Sequence, residues 1–266
     1  MICKQQVAHA SQNSGIEVPI NNLSDRPITV SPKMDKEFPM TLQVALVGTD
    51  GIVLASDTKW SETRQVRHTY NRTKIEINYE RRIAVSYARN MDSSARAAKD
   101  IANKITDEQW DSPQLRIEEI AEEAMQSLPY NIRDLNCLIV SPRMKLFRLE
   151  MTQDLSKGAF EARPSCWEST DKAPAGDETN AALFWGERYY ERRPIRTLVP
   201  LAAYLINAGN KLSPDRIEGL EIVLCEPAGI RRLSEDSIRA LQSMANGLDE
   251  HLRSAFINYS EQFTYA

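Results

Sequence analysis

The feature that most constrains the fold is a pair of short apolar runs joined by Gly-Thr-Asp-Gly. The runs cover residues 44–47 and 52–56, and the joining residues are 48–51. Short β-branched runs on either side of an Asp-Gly turn are the strongest short-range signal for a β-hairpin. The sequence therefore predicts two paired antiparallel strands with a tight turn at one end.

The opposite end of this predicted hairpin carries two reactive side chains. Thr41 lies at the head of the first strand and Asp57 at the foot of the second, with Thr58 and Lys59 next to it. In an antiparallel pair these two positions lie at the same end. A hydroxyl with a charged neighbour is the geometry that activates a nucleophile.

These residues resemble the start of a proteasome-type subunit of the N-terminal nucleophile hydrolases, the group of the proteasome β subunit and the HslV-like peptidases. In that family the mature chain begins with the catalytic Thr, followed by a Gly turn and an apolar strand that ends in Ala-x-Asp-x-Arg/Lys. The spacing from Thr41 to Asp57 matches the spacing from nucleophile to acid. Residues 74–92 and 215–223 also match, and the resemblance covers about residues 41–235 at low identity.

Hydrophobic periodicity along the rest of the chain predicts helices and further strands. Helices are predicted at 92–105, 113–128, 194–210 and 234–259. Strands are predicted at 74–78, 82–88, 135–141, 145–151, 181–186 and 217–223, with weaker ones near 158–162 and 225–232; 60–73 is predicted to be a loop. This order predicts an α/β fold, a four-layer α/β/β/α sandwich of two antiparallel sheets flanked by helices. The resemblance implies the same N-terminal nucleophile hydrolase fold.

The resemblance also implies a catalytic set. Thr41 would be the nucleophile and its own α-amine the base, since an α-amine has a pKa near ~8. The Lys74 ammonium would lower that pKa by like-charge repulsion, and Asp57 would keep Lys74 charged and oriented. Asp215 would orient the amine, and the backbone N–H of Ala88 would be the oxyanion donor. Two plainer roles stay open: a structural Lys74–Asp57 ion pair, and Asp215 as a turn residue.

Three departures from the family pattern bear on activity. Met40 stands before Thr41 where self-cleaved subunits have Gly, and Trp185-Gly186-Glu187 stands in the area of a Gly/Ser turn that normally supports the amine. Glu218 replaces the Ser of Asp-x-x-Ser-Gly-Gly. These departures keep two alternatives to a threonine peptidase open: a subunit of this fold that serves as a scaffold without activity, and an amidase that does not cleave peptides.

Residues 1–40 are polar and without a clear period, which is typical of a disordered extension. They are either a propeptide removed to free Thr41 or an upstream extension of a chain that starts at Met40. The second route is favoured, because methionine aminopeptidase acts on Met followed by a small residue. Residues 41–266 are expected to form a single domain.

Composition excludes several function classes. A net charge of −4 gives no electrostatic footprint for nucleic acid, and no apolar run reaches the ~18 residues that span a membrane. The four cysteines form no CxxC pair and the three histidines are scattered, so no metal, cofactor or histidine triad is expected. A reducing, cytoplasmic location is predicted. The resemblance implies a ring of like subunits that degrades peptides or unfolded protein, with an unidentified unfoldase partner.

Overall fold

The computed structural model describes residues 41–62, 68–89, 91–126, 128, 134–153 and 162–262. The predictions for residues 1–40 lie outside this part of the chain. The described residues belong to one compact unit, and its architecture follows from two antiparallel sheets.

The first sheet is built around the hairpin that the Asp-Gly turn predicted. Its strand order is β10-β1-β2-β11-β12, and every neighbouring pair is antiparallel. In the central hairpin Gln43 pairs with Ser56 and Val47 with Ile52, which confirms the predicted pairing. The strands are β1 (Leu42–Val47), β2 (Ile52–Ser56), β10 (Lys172–Gly176), β11 (Glu221–Glu226) and β12 (Gly229–Arg232).

The second sheet is a meander in which sequential strands are neighbours. Its order is β5-β6-β7-β8-β9, again antiparallel throughout. The strands are β5 (Ile75–Asn78), β6 (Ile83–Ala88), β7 (Asn136–Val140), β8 (Leu146–Gln153) and β9 (Ala162–Ser169). The predicted strands at 74–78, 82–88, 135–141 and 145–151 are therefore confirmed to within a few residues.

The two sheets pack face to face and helices cover their outer faces. Ala45 and Leu54 of the first sheet meet Ala84 and Leu138 of the second in a buried apolar layer. The helices are α1 (Met91–Lys104), α2 (Gln114–Met125), α3 (Leu183–Tyr189), α4 (Ile195–Leu212) and α5 (Glu235–Gln262). Helices α1 and α2 cover the second sheet, and α3 to α5 cover the first. This arrangement confirms the four-layer sandwich.

The predicted loop at 60–73 is wrong in part. Its described residues form a two-stranded hairpin of β3 (Lys59–Glu62) and β4 (His68–Asn71), in which Trp60 stacks on Tyr70. The sequence of these strands is polar apart from Trp60 and Tyr70, so hydrophobic periodicity gave no signal for this hairpin. The segment 152–180 contributes β9 and β10, which were not predicted; the strand expected near 158–162 falls almost wholly outside the described residues.

The strand predicted at 181–186 is also wrong, because these residues lead into helix α3. A short apolar run does not distinguish a strand from a helix by itself. Ala182 and Gly186, one helical turn apart, are buried, while Phe184 between them is 59% exposed. The run therefore has one buried and one exposed face.

Among the described helices, none is long and apolar enough to cross a bilayer.

Candidate active site

Thr41 lies immediately before β1, an interior strand of the first sheet, with only 1% of its surface exposed. Strand β1 is paired on both sides, so the main chain next to Thr41 is fixed. The Thr41 carbonyl accepts a hydrogen bond of 2.7 Å from the N–H of Asp177. Gly176 makes this approach possible: its φ is +86°, and a Cβ there would lie 1.9 Å from the Thr41 oxygen.

Asp57 follows β2 and is fully buried. Its carboxylate accepts three hydrogen bonds. Oδ1 accepts from the Leu42 N–H at 2.9 Å, while Oδ2 accepts from the Lys59 N–H at 3.2 Å and from Lys74 Nζ at 2.8 Å. The hairpin register therefore places the acid next to the first peptide of β1, which is where the sequence predicted it.

Lys74 comes from the other sheet, directly before β5, and its side chain is 1% exposed. Its Nζ lies 2.9 Å from Thr41 Oγ1 and 2.8 Å from Asp57 Oδ2. One ammonium therefore bridges the hydroxyl and the carboxylate. The structure brings together the three residues Thr41, Asp57 and Lys74 that the resemblance selected.

Burial dominates the electrostatics of this trio. It lowers the pKa of Lys74 and raises the pKa of Asp57, while the charge and hydrogen bond of each partner oppose the shift. The proton on Lys74 is consequently easier to displace than that of an exposed lysine. A group of this kind, in contact with a hydroxyl, can donate to or accept from that hydroxyl during a reaction.

Asp215 lies in an exposed turn after α4, within a loop that packs on the segment following Asp57. The Pro214 carbonyl accepts from Lys59 Nζ at 3.0 Å, and the Glu218 carbonyl accepts from the Lys59 N–H at 3.0 Å. The loop is thereby tied to the acid end of the hairpin. That Asp215 orients the amine of Thr41 stays a prediction.

Ala88 ends β6, opposite Asn136, and is fully buried. A Cβ built on Gly176, whose backbone touches Thr41, would lie 3.3 Å from the Ala88 Cβ, so Ala88 lies on the nucleophile's side of the second sheet. Arg89 follows with a φ of +64°, which turns the chain sharply after the strand. The role of the Ala88 N–H as oxyanion donor stays a prediction.

The turn beside Thr41 is not where the sequence suggested. Trp185, Gly186 and Glu187 lie in α3, and Gly186 packs against Leu205 of α4. The loop that hydrogen-bonds to Thr41 instead follows β10, at Gly176 and Asp177. A Gly-Asp pair at the end of a run of small residues was the available signal.

Comparison with solved structures identifies the fold. The chain superimposes on Anbu (ancestral beta-subunit) from Yersinia bercovieri with a TM-score of 0.61, at 14% identity over 85% of this chain and 99% of that one. The helical assembly of the Anbu complex from Pseudomonas aeruginosa superimposes with a TM-score of 0.58, at 13% identity over 85% of this chain and 98% of that one. The Gly-1 mutant of Anbu from Hyphomicrobium sp. strain MC1 superimposes with a TM-score of 0.57, at 15% identity over 85% of this chain and 99% of that one.

The chain has the fold of the Anbu structures. No family model and no curated protein matches its sequence. The assignment to a proteasome-type subunit, whether a proteasome β subunit or an HslV-like peptidase, is wrong: the similar solved structures are Anbu proteins, and the likeness to them shows the N-terminal nucleophile hydrolase fold.

Within the described part of the chain, no group of three or more His, Cys, Asp or Glu side chains is arranged to hold a metal ion.

Proposed function

We propose that this protein is an N-terminal threonine hydrolase that cleaves peptide bonds, with Thr41 as the nucleophile. One observation carries the proposal. Lys74 Nζ lies 2.9 Å from Thr41 Oγ1 and 2.8 Å from Asp57 Oδ2, and none of the three residues is more than 1% exposed. Burying an ion pair costs folding free energy, because both charges lose their contact with water. Groups whose pKa values are shifted by burial and by a charged partner are concentrated at functional sites.

The reaction requires a free α-amine on Thr41. That amine, with a pKa near ~8, accepts the hydroxyl proton as Oγ1 attacks the carbonyl carbon of the substrate. The Lys74 ammonium keeps the amine pKa low and stabilises the developing charge on Oγ1, and Asp57 holds Lys74 in place. The Ala88 N–H donates to the carbonyl oxygen as it becomes negative. The Thr41 α-ammonium then gives the proton it accepted to the nitrogen of the leaving peptide as the C–N bond breaks, which leaves an ester on Oγ1. Water hydrolyses that ester, with the α-amine accepting a proton from the attacking water and returning it to Oγ1 as the ester C–O bond breaks.

The decisive experiment combines N-terminal sequencing with a hydrolysis assay on the protein purified from its native gene. We expect the active chain to begin at Thr41 and to hydrolyse fluorogenic peptides, with Thr41→Ala as the blank. A chain that begins at Met1 or Met40 and still hydrolyses peptides would rule out the mechanism. A chain with free Thr41 that cleaves other amides but no peptide would support an amidase; one that cleaves neither would support a scaffold.

We further propose that the protein assembles with copies of itself into a ring. The support for assembly is its likeness in fold to Anbu, one structure of which is a helical assembly of the Anbu complex; a ring is the form that results when the same repeated contact closes on itself. Light scattering at micromolar concentration should show a homo-oligomer, and a stable monomer would contradict the proposal. Whether an unfoldase delivers substrate would be tested by pull-down on the assembled form.

A cytoplasmic location is part of the same proposal. Cys137, Cys166 and Cys225 are free and buried, which suits a reducing compartment. Burial raises the pKa of Cys225 and of Cys166 to about 12, so these thiols stay protonated at neutral pH. Fractionation of the source cells would test the location, and recovery with membranes would contradict it.

A further inference from the structure

Glu221 is a buried carboxylate that the catalytic set above does not use. It is the first residue of β11, opposite Ser56 of β2, and is 6% exposed. Its Oε2 accepts a hydrogen bond of 3.0 Å from the N–H of Lys74, and its Oε1 accepts one of 2.6 Å from the Thr73 hydroxyl. A carboxylate of the first sheet therefore holds the main chain of the second sheet where β5 begins.

Arg232 extends this connection. Its Nη2 lies 3.0 Å from Glu221 Oε1 and donates to the carbonyl of Ile75 at 2.9 Å. Ile75 is the first residue of β5. The Glu221–Arg232 pair thus holds the main chain on both sides of Lys74, with Arg232 opposite Val223 in the β11–β12 hairpin and Glu221 two residues before Val223.

The position of Lys74 depends on these contacts with Glu221 and Arg232, because Lys74 comes directly before β5 and is not itself part of the strand. Its carbonyl accepts from the Tyr87 N–H at 3.0 Å, and its own N–H has Glu221 as the acceptor. Both ends of the residue are therefore fixed before its side chain spans the gap to Thr41. A misplacement of about 1 Å in a catalytic group can cost on the order of 10²-fold in rate.

We propose that Glu221 is a positioning residue: by fixing the main chain at Thr73 and Lys74, it aims Lys74 Nζ at Thr41 Oγ1. The inference rests on the proposed hydrolase function, and nothing in the sequence pattern pointed to it. Glu221 touches none of the reacting atoms, so it acts only through Lys74.

The charge of Glu221 also reaches Lys74. Burial lowers the pKa of Lys74, and the charges of Asp57 and Glu221 oppose that shift. Glu221 in turn faces the Arg232 cation and the Glu76 carboxylate. Removal of the Glu221 charge should therefore move the Lys74 titration to lower pH, an effect that a purely structural carboxylate, remote from Lys74, would not have.

The test compares Glu221→Gln with Glu226→Gln. Glu226 lies on the same strand and pairs with Arg231 of β12 at 3.1 Å, so it is a matched carboxylate–arginine pair whose described partner is on the surface of the hairpin. We expect kcat per folded molecule to fall by about 10-fold or more in Glu221→Gln, with KM within about twofold, because the loss is confined to the transition state. Glu226→Gln should match the wild type.

A second readout does not need activity. In protein labelled with 13C at lysine Cε, the Lys74 signal, assigned by its loss in Lys74→Arg, should titrate at lower pH in Glu221→Gln than in the wild type. Glu221→Asp, which keeps the charge but is one methylene shorter, should restore the titration without restoring kcat. If Glu221→Gln does not fold, Arg232→Gln, which removes the contact with the Ile75 carbonyl but keeps the Glu221 charge, should lower kcat by a smaller factor without moving the Lys74 titration to lower pH.

The outcomes separate the two proposals. An inactive wild type with a shifted Lys74 titration would overturn the hydrolase function and leave the contact of Glu221 with Lys74 intact. An active wild type with kcat, KM and the Lys74 titration unchanged in Glu221→Gln would overturn the positioning role alone. A loss of thermal stability with unchanged kcat per folded molecule would likewise overturn it.

Discussion

Two lysine–carboxylate pairs lie side by side, because Asp57 of one pair and Lys59 of the other are close together in sequence. Their N–O distances are similar, but their exposure to solvent differs. Lys74 and Asp57 are 2.8 Å apart, and Lys59 and Glu218 are 3.2 Å apart. The Asp57 side chain is fully buried, whereas that of Glu218 is 62% exposed. The attraction between two charges grows as water is excluded, and so does the cost of leaving either one unpaired. Burial of both partners, and contact with the Thr41 hydroxyl, therefore distinguish the pair that is proposed to be catalytic from Lys59 and Glu218, of which only the lysine is largely buried.

The largest expected effect comes from the buried pair. Lys74→Ala removes the group that bridges Thr41 Oγ1 and Asp57, so turnover of fluorogenic peptides should fall on the order of 10²–10⁴-fold. Lys74→Arg should not rescue it, because a planar guanidinium donates in a different geometry. Thermal midpoints measured in parallel distinguish lost chemistry from lost folding. If Lys74→Ala keeps activity near that of the wild type, Lys74 is not a catalytic residue.

The next effect is on stability. Asp57→Asn leaves a buried ammonium without its counter-charge, which should cost about 3–5 kcal/mol of unfolding free energy at neutral pH. Burial already lowers the pKa of Lys74 in the folded state. The unfolded state therefore binds the proton more tightly, and the loss should shrink as the pH rises toward about 10. Urea unfolding at pH 7 and at higher pH measures this; a loss that grows with pH would contradict it.

The smallest effect is expected from Glu218, the exposed partner of Lys59. Glu218→Gln keeps the backbone carbonyl that accepts from Thr58 and Lys59, and Lys59 Nζ keeps the Pro214 carbonyl as its acceptor. Because only an exposed carboxylate is lost, unfolding free energy should change by about 0–1 kcal/mol. Peptide turnover should stay at the wild-type level in the assays used for Lys74→Ala. If this change instead reduced turnover as strongly as Lys74→Ala, burial would not be the property that distinguishes the two pairs.

The part of the site that could be predicted from the sequence is local. The Asp-Gly turn fixes the hairpin, and the hairpin brings the start of β1 and Asp57 to one end through pairs such as Gln43 with Ser56. Lys74 is 33 residues from Thr41 and comes from the other sheet. Hydrophobic periodicity does not predict which residues of the two sheets meet. Lys74 was therefore assigned to the site only through the family resemblance.

The missed contacts join distant segments. Glu221 is 147 residues from Lys74, and an acid at the start of a strand gives no sign of which chain it will meet. Asp177, which fixes the carbonyl of Thr41, follows a strand that was not predicted because the run 172–176 is short and weakly apolar. The helix at α3 was missed because a short apolar run fits either structure.

The interior position of β1 has a consequence for a chain cut before Thr41. New chain ends usually fray, and a frayed end would carry its amine away from the hydroxyl partners. Here the first residues after the cut are held from both sides, since Leu42 pairs with Gly176 of β10 and Gln43 with Ser56 of β2. Cleavage would thus create a terminus that is tethered like a side chain in a core. The amine would act as a fixed reagent at high effective concentration, not as a loose chain end.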